Sequence, residues 1–139
     1  MATLIRPELS EKNKYWIDKH RFYELKHFCM QYKTWKKTYA ALTEIGATSY
    51  LIDGIPSGNT PSDLTAKYAI RKAHYAEKIK MIERAAKEAD EDLYVYILKA
   101  VTEDLSFTYL KTTLEIPCSR DTYYNRYRKF FWLLSEARD

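Results

Sequence analysis

The polar and charged residues between positions 119 and 129 have types and spacing that could contact DNA. An arginine side chain can donate two hydrogen bonds to O6 and N7 of guanine, and an asparagine side chain can pair in a similar way with N6 and N7 of adenine. A serine at a helix start caps the backbone amides, and that amide end can face a phosphate. The residues expected on this face are Ser119, Arg120, Asp121, Tyr124, Asn125, Arg126, Arg128 and Lys129.

Four of these side chains have expected roles other than direct pairing with a purine. Tyr124 can contact a phosphate or a thymine methyl group. Asp121 repels phosphates, so we expect it either to accept a hydrogen bond from N4 of cytosine or to orient a neighbouring arginine or asparagine. Arg126 and Lys129 are predicted to contact phosphates from the flanks of the face, which positions a protein on DNA without reading its sequence.

Two helical patterns separated by a turn must position this face. The first is residues 107–114, which Ser106 can cap, and the second is residues 120–138, which Ser119 can cap. Residues 116–119, Ile-Pro-Cys-Ser, lie in the turn, and this order is the outline of a helix-turn-helix. The apolar residues that repeat at helical spacing, and that we expect in the core, are Phe107, Leu110, Leu114, Ile116, Tyr123, Tyr127, Phe130, Phe131 and Leu134.

The stretch Ile-Pro-Cys-Ser-Arg-Asp-Thr-Tyr-Tyr at 116–124, with Arg-Tyr-Arg-Lys-Phe-Phe at 126–131, carries a family resemblance. It resembles the sigma-factor region 4 type of helix-turn-helix found in phage-encoded transcriptional regulators of the ArpU and RinA type. The resemblance covers residues 90–139, whereas residues 61–90 share only the layout of a long charged helix before the DNA-binding unit. It implies sequence-specific promoter binding and activation of late or packaging genes, with double-stranded DNA and the host RNA polymerase as partners.

Three other interpretations are compatible with the same pattern. A DNA-packaging adaptor similar to a terminase small subunit also joins a helix-turn-helix to helical oligomerisation segments. A protein-binding module, such as an inhibitor of a host nucleic-acid enzyme, can use the same fold as a scaffold. The third is a helical hairpin with a solvated basic face, and Pro117 favours it because glycine is frequent at that position of the common turn.

The layout of the whole chain predicts an all-α fold in four parts. Only three glycines and four prolines interrupt the 139 residues, and scarcity of these breakers favours long helices. We expect a helical N-terminal region in residues 1–45 and a linker in residues 46–63, which contain all the glycines. A long charged helix in residues 64–90 and the helix-turn-helix unit in residues 91–139 follow.

Local signals place the ends of the N-terminal helices. Ser10 or Asn13 can cap the first helix. The apolar spacing changes near residues 31–33, which indicates two helices rather than one. Gly46 is a candidate C-cap for the second helix, because glycine adopts the left-handed conformation that ends many helices.

The long charged helix has an apolar seam with spacings of three and four residues. Such a seam is typical either of a helix packed on its own domain or of a coiled coil that pairs two chains into a homodimer. Both interpretations use the same residues, which are Leu64, Tyr68, Tyr75, Ile79, Ile82, Ala86 and Ala89.

The charge of the chain permits nucleic-acid binding without requiring it. The formal net charge is +4, and basic proteins of this kind attract polyanions. Residues 12–37 contain eight Lys and Arg against two Asp and Glu, interleaved with aromatic residues. We expect an amphipathic helix with its rings turned inward, and a second phosphate-binding surface is the alternative.

Signals of catalysis and of metal or cofactor binding are missing from the sequence. The Gly-Ile-Pro-Ser-Gly-Asn-Thr stretch at 54–60 lacks the lysine of a phosphate-binding loop, and His20, His27 and Cys29 have no second Cys-His pair at zinc spacing. We therefore expect no enzymatic activity, metal or cofactor. No apolar run is long enough to span a membrane or to act as a leader, so we expect a cytoplasmic protein with two free thiols.

Overall fold

The computed structural model of the protein describes residues 12–52 and 63–139, and the regular elements in these two ranges are all α-helices. The prediction of an all-α fold with a long central helix is confirmed. The helices are α1 (Lys19–Met30), α2 (Tyr32–Ile52), α3 (Asp63–Ala89), α4 (Tyr94–Glu103), α5 (Phe107–Thr112) and α6 (Arg120–Arg138).

The described helices belong to two compact units. Unit 1 contains residues 12–31 and 81–139, and unit 2 contains residues 32–52 and 63–80. Unit 1 therefore holds α1, the end of α3 and all of α4, α5 and α6, while unit 2 holds α2 and the larger part of α3. The segment predicted as a helix-turn-helix unit, residues 91–139, shares its unit with the N-terminal helix, although the two are far apart in sequence.

The N-terminal helix begins later than its sequence signals predict. Asp18 caps α1, because its side chain accepts a hydrogen bond of 3.0 Å from the backbone N–H of His20. Asn13, the predicted cap, instead accepts from the N–H of Tyr15 at 2.9 Å within a turn. Asparagine side chains stabilise such local turns as readily as they cap helices, and here the turn forms. Ser10, the other predicted cap, lies outside the described residues.

The predicted break between two N-terminal helices is confirmed, but the second helix is longer than predicted. α1 ends at Met30 and α2 begins at Tyr32. α2 then continues through Gly46, so the predicted C-cap there is wrong and residues 46–52 of the predicted linker are helical. Gly46 has no positive φ. A glycine inside a helix costs about 1 kcal/mol relative to alanine, and this weak preference does not end α2 at Gly46. Residues 53–62 of the linker lie outside the described residues.

The core of unit 1 is built from aromatic rings of α1 and α6. Phe131 lies at the centre of this cluster, and its ring centroid is 5.0 Å from Phe22, 5.0 Å from Phe130 and 4.9 Å from Tyr127. Close edge-to-face pairs of this kind add to the free energy that burying large rings contributes. Side chains of unit 1 at 2% exposure or less include Phe22, Leu25, Cys29, Ile82, Ala86, Ala89, Ile97, Leu110, Ile116, Tyr123, Phe130, Phe131 and Leu134.

The core predicted for the C-terminal segment is largely confirmed. Seven of its nine residues are buried, and the two exceptions are half-buried: Leu114, in the connector after α5, and Tyr127, on the edge of the buried stripe of α6. α6 packs against both α1 and α4. Its buried stripe therefore sets which way its remaining side chains point.

Candidate nucleic-acid interface

The first turn of α6 is capped as its sequence predicts. Ser119 has an extended backbone, and its Oγ accepts a hydrogen bond of 3.2 Å from the N–H of Thr122. The same hydroxyl donates to Oγ1 of Thr122 at 3.0 Å. Ser106 caps α5 in the same way, accepting from the N–H of Tyr109. Both helices of the candidate interface therefore begin at the predicted residues.

The connection between α5 and α6 differs from the common helix-turn-helix. α5 ends at Thr112 and α6 begins at Arg120, so seven residues connect them, against the three or four of the usual turn. Glu115 adopts a left-handed conformation with φ of 55°, which costs a non-glycine residue about 1 kcal/mol. The N–H of the next residue, Ile116, donates to the carbonyl of Leu110 at 3.0 Å. Burial of the Ile116 side chain at 1% exposure offsets this cost.

The outward face of α6 contains four of the eight predicted contact residues. Asp121 and Asn125 are exposed, while Arg128 and Lys129 are half-buried and lie opposite the apolar stripe. The side chains of Asp121, Arg128 and Lys129 have no ion pair or hydrogen bond with any described residue. Their charged groups are consequently available to a partner.

The Arg126 side chain forms hydrogen bonds within the protein instead of pointing towards a partner. Its Nε donates to Oδ2 of Asp90 at 2.9 Å, and its Nη1 donates to Oδ1 of Asn125 at 2.7 Å. Oδ1 of Asp90 also accepts from the N–H groups of Asp92 and Leu93 at 2.9 and 3.0 Å. The ion pair therefore attaches α6 to the turn that begins α4.

Hydrogen bonding stabilises the ionised form of Asp90. Its partial burial alone would raise the pKa of the carboxyl group, but the hydrogen bonds from Arg126, Leu93 and Asp92 outweigh that effect and hold the pKa below its ordinary value. The carboxylate is therefore negative at neutral pH and remains paired with Arg126.

Two further predicted contact residues lie beside α5 instead of on the outward face. The guanidinium carbon of Arg120 is 5.5 Å from the ring centroid of Phe107. The Tyr124 ring is 6.1 Å from the same ring and 5.2 Å from Tyr123. The structure thus separates the eight predicted residues into the cap Ser119, the Arg120–Tyr124 pair, the internally bonded Arg126 and the outward group.

The Asp90–Arg126 pair is the part of this site that sequence reasoning missed. The acidic residues at 90–92 indicated only a favourable interaction with the start of the next helix. Their partner lies 36 positions further along the chain, and no local pattern of residues connects positions so far apart. Only the packing of α6 against α4 brings the two side chains together.

Other kinds of site have no counterpart in the described part of the chain. No group of three or more His, Cys, Asp and Glu residues there could hold a metal ion, and none of the described helices is long and apolar enough to cross a membrane. Cys29 and Cys118 are free thiols, and burial raises the pKa of both. The chain matches no protein-family model, and no curated protein or solved structure is significantly similar to it.

Proposed function

We propose that the protein binds duplex DNA through the outward face of α6 and regulates transcription in a sequence-specific manner. The observation that carries this proposal is the grouping of Asn125, Arg128 and Lys129 opposite the buried stripe of α6. Arginine and asparagine are the side chains that pair most specifically with purines in the major groove. Lysine adds a contact to phosphate.

The internal contacts of α6 support this role because they hold the face in one orientation. Four buried side chains and the Arg126–Asp90 ion pair hold the helix in place about its axis, and a binding face is more precise when its supporting residues are held by packing. Oδ1 of Asn125 already accepts from Arg126. Asn125 therefore offers its amide N–H groups, which suit N7 of a purine.

The proposal extends to a homodimer and to the host RNA polymerase as partners. Ile79, Ile82, Ala86 and Ala89 of the predicted seam are buried within the chain, so pairing would use the N-terminal part of α3. Two copies paired there would present two α6 helices to two half-sites of a palindromic sequence. Activation of phage late or packaging genes would then follow from recruiting the polymerase next to the bound site. The seam residue Leu64 is 57% exposed on this part of α3, so it is available for such pairing.

The test is selection of bound duplexes from a random-sequence pool, followed by fluorescence anisotropy with the enriched sequence. We expect one enriched motif for the wild-type protein. Arg128→Ala and Asn125→Ala should each weaken binding to that motif by about 1–3 kcal/mol and relax the base preference at one position. Arg84→Ala is the matched control, because Arg84 is an exposed arginine of α3, and it should leave the motif unchanged.

Two results would contradict the proposal. The first is the absence of any enriched motif for a wild-type protein that circular dichroism shows to be helical. The second is an unchanged motif and affinity in both α6 variants, which would exclude this face as the reader. A palindromic motif together with a dimer in light scattering would support pairing of two copies.

A further inference from the structure

Most of the net positive charge of the described residues lies in one of the two units. Residues 32–52 and 63–80 of unit 2 contain eight Lys and Arg and three Asp and Glu. Residues 12–31 and 81–139 of unit 1 contain 14 Lys and Arg and 13 Asp and Glu. Residues 91–139, which include α6, have seven positive and eight negative side chains. The unit that carries the candidate reading helix is therefore close to neutral.

Four positively charged side chains of unit 2 are exposed and unpaired. Lys37 lies on α2, and Lys67, Arg71 and Lys80 lie on α3. None of them has an ion pair or hydrogen bond with a side chain that the structure describes. In unit 1, Arg21, Lys26, Arg126 and Arg138 are in ion pairs, while other cations there, such as Lys19 and Lys99, are exposed without an ion pair to a described side chain.

Three other lysines of unit 2 lie over aromatic rings. Lys72 is 5.1 Å from the ring centroid of Tyr39, and Lys78 is 5.1 Å from that of Trp35, so both join α3 to α2. Lys36 lies 5.3 Å from the ring of a neighbouring tyrosine on α2. A ring attracts an ammonium group without neutralising it. The packing of unit 2 therefore preserves its positive charge, whereas an ion pair would cancel it.

We infer that unit 2 is a surface for the phosphate backbone of DNA, and that it supplies most of the affinity that does not depend on base sequence. The partner in this inference is the DNA of the proposed function, on which it rests. Phosphate affinity comes from cations that displace counterions from DNA, and the described residues of unit 2 have a surplus of five cations against one in unit 1. α6 would add base contacts to this general attraction.

Two of the four cations lie on the same side of α3. Lys67 and Arg71 are four positions apart, which is about 6 Å along a helix, a length over which one strand of B-DNA carries about two phosphates.

The experiment compares two sets of four substitutions that remove the same charge. The unit 2 set is Lys37→Gln, Lys67→Gln, Arg71→Gln and Lys80→Gln. The unit 1 control set changes three exposed lysines and one exposed arginine, namely Lys19→Gln, Arg84→Gln, Lys87→Gln and Lys99→Gln. Anisotropy titrations with a random-sequence duplex over a range of salt concentrations give the slope of log affinity against log salt. Circular dichroism checks that all proteins are equally helical.

The slope should be shallower in the unit 2 set by about 0.9 for each lost phosphate contact. We expect the slope of the unit 2 set to change by at least about two in total, and its binding at low salt to weaken by at least about tenfold. The slope of the control set should change by less than half as much. Equal changes in both sets would overturn the inference while leaving DNA binding intact. A wild-type protein that binds vesicles containing phosphatidylserine but no DNA would overturn both this inference and the proposed function.

Discussion

Unit 1 and unit 2 differ in how far their charges are compensated. Unit 1 is close to neutral, and ion pairs connect helices that are distant in sequence, such as Arg21 of α1 with Asp139 after α6 at 2.6 Å. Unit 2 has a surplus of cations, and its lysines at the contact between α2 and α3 lie over aromatic rings. A ring contact, which also occurs in unit 1 where Lys87 lies over Tyr94, leaves the charge in place.

Under the proposed function, this difference would separate two requirements of DNA binding. A helix that reads bases must be held in a fixed orientation, which well-packed unit 1 would do for α6. Attraction to the phosphate backbone needs a surplus of cations, which unit 2 would supply.

The largest expected effect tests whether the aromatic cluster is what holds unit 1 together. Phe131 is fully buried among three other rings, so Phe131→Ala should destabilise the protein by about 3–5 kcal/mol. Urea unfolding followed by circular dichroism measures the change. Tyr109→Ala is the control, since Tyr109 is 42% exposed, and it should cost less than about 1 kcal/mol. Equal losses in both variants would show that the ring cluster is not the core.

A smaller effect is expected at the ion pair that attaches α6 to α4. Asp90→Ala removes the partner of Arg126 and the acceptor for two backbone N–H groups, so it should cost about 1–2 kcal/mol. Asp92→Ala is the matched control because the Asp92 side chain is exposed. If Asp92→Ala is as destabilising as Asp90→Ala, a general charge effect would explain both.

The same pair should make stability depend on acid pH. The pKa of Asp90 is lower in the folded protein than its unfolded value of about 3.9. Its contribution is therefore complete well above pH 4 and is lost as the pH falls through the folded pKa. The difference in unfolding free energy between wild type and Asp90→Ala should be constant from about pH 6 to 8 and shrink below about pH 4. A constant difference at all pH values would contradict the ionised pair.

The smallest effect concerns the lysines that lie over rings in unit 2. Lys78→Met keeps the length of the side chain but removes the charge over Trp35, which should cost about 0.5–1 kcal/mol at such a site. Lys80→Met, in the same helix without a ring partner, should be neutral within about 0.5 kcal/mol. Thermal unfolding measures both. A larger loss in Lys80→Met would show that charge on α3 in general, and not the ring contact, stabilises unit 2.

Much of the local structure could be predicted from the sequence. Ser106 and Ser119 cap the helices that their positions indicate, and the break between α1 and α2 follows the change in apolar spacing. These signals are reliable because a cap involves residues three positions apart and a helical face repeats every three or four residues. Gly46 shows the limit of such signals, because helix propensity is a weak preference that neighbouring residues override.

The sequence by itself determined the helices, their caps and the stripe of α6 that faces the core. Only the tertiary structure decided which of the eight candidate residues remain available to a partner. It placed Arg126 against Asp90 and Arg120 against Phe107, and left Arg128 and Lys129 without a partner among the described side chains. It also divided a mildly basic chain into a nearly neutral unit and a basic one. The physical reason is that pairing of charges depends on distances of a few ångströms in space, and packing of helices distant in sequence sets those distances.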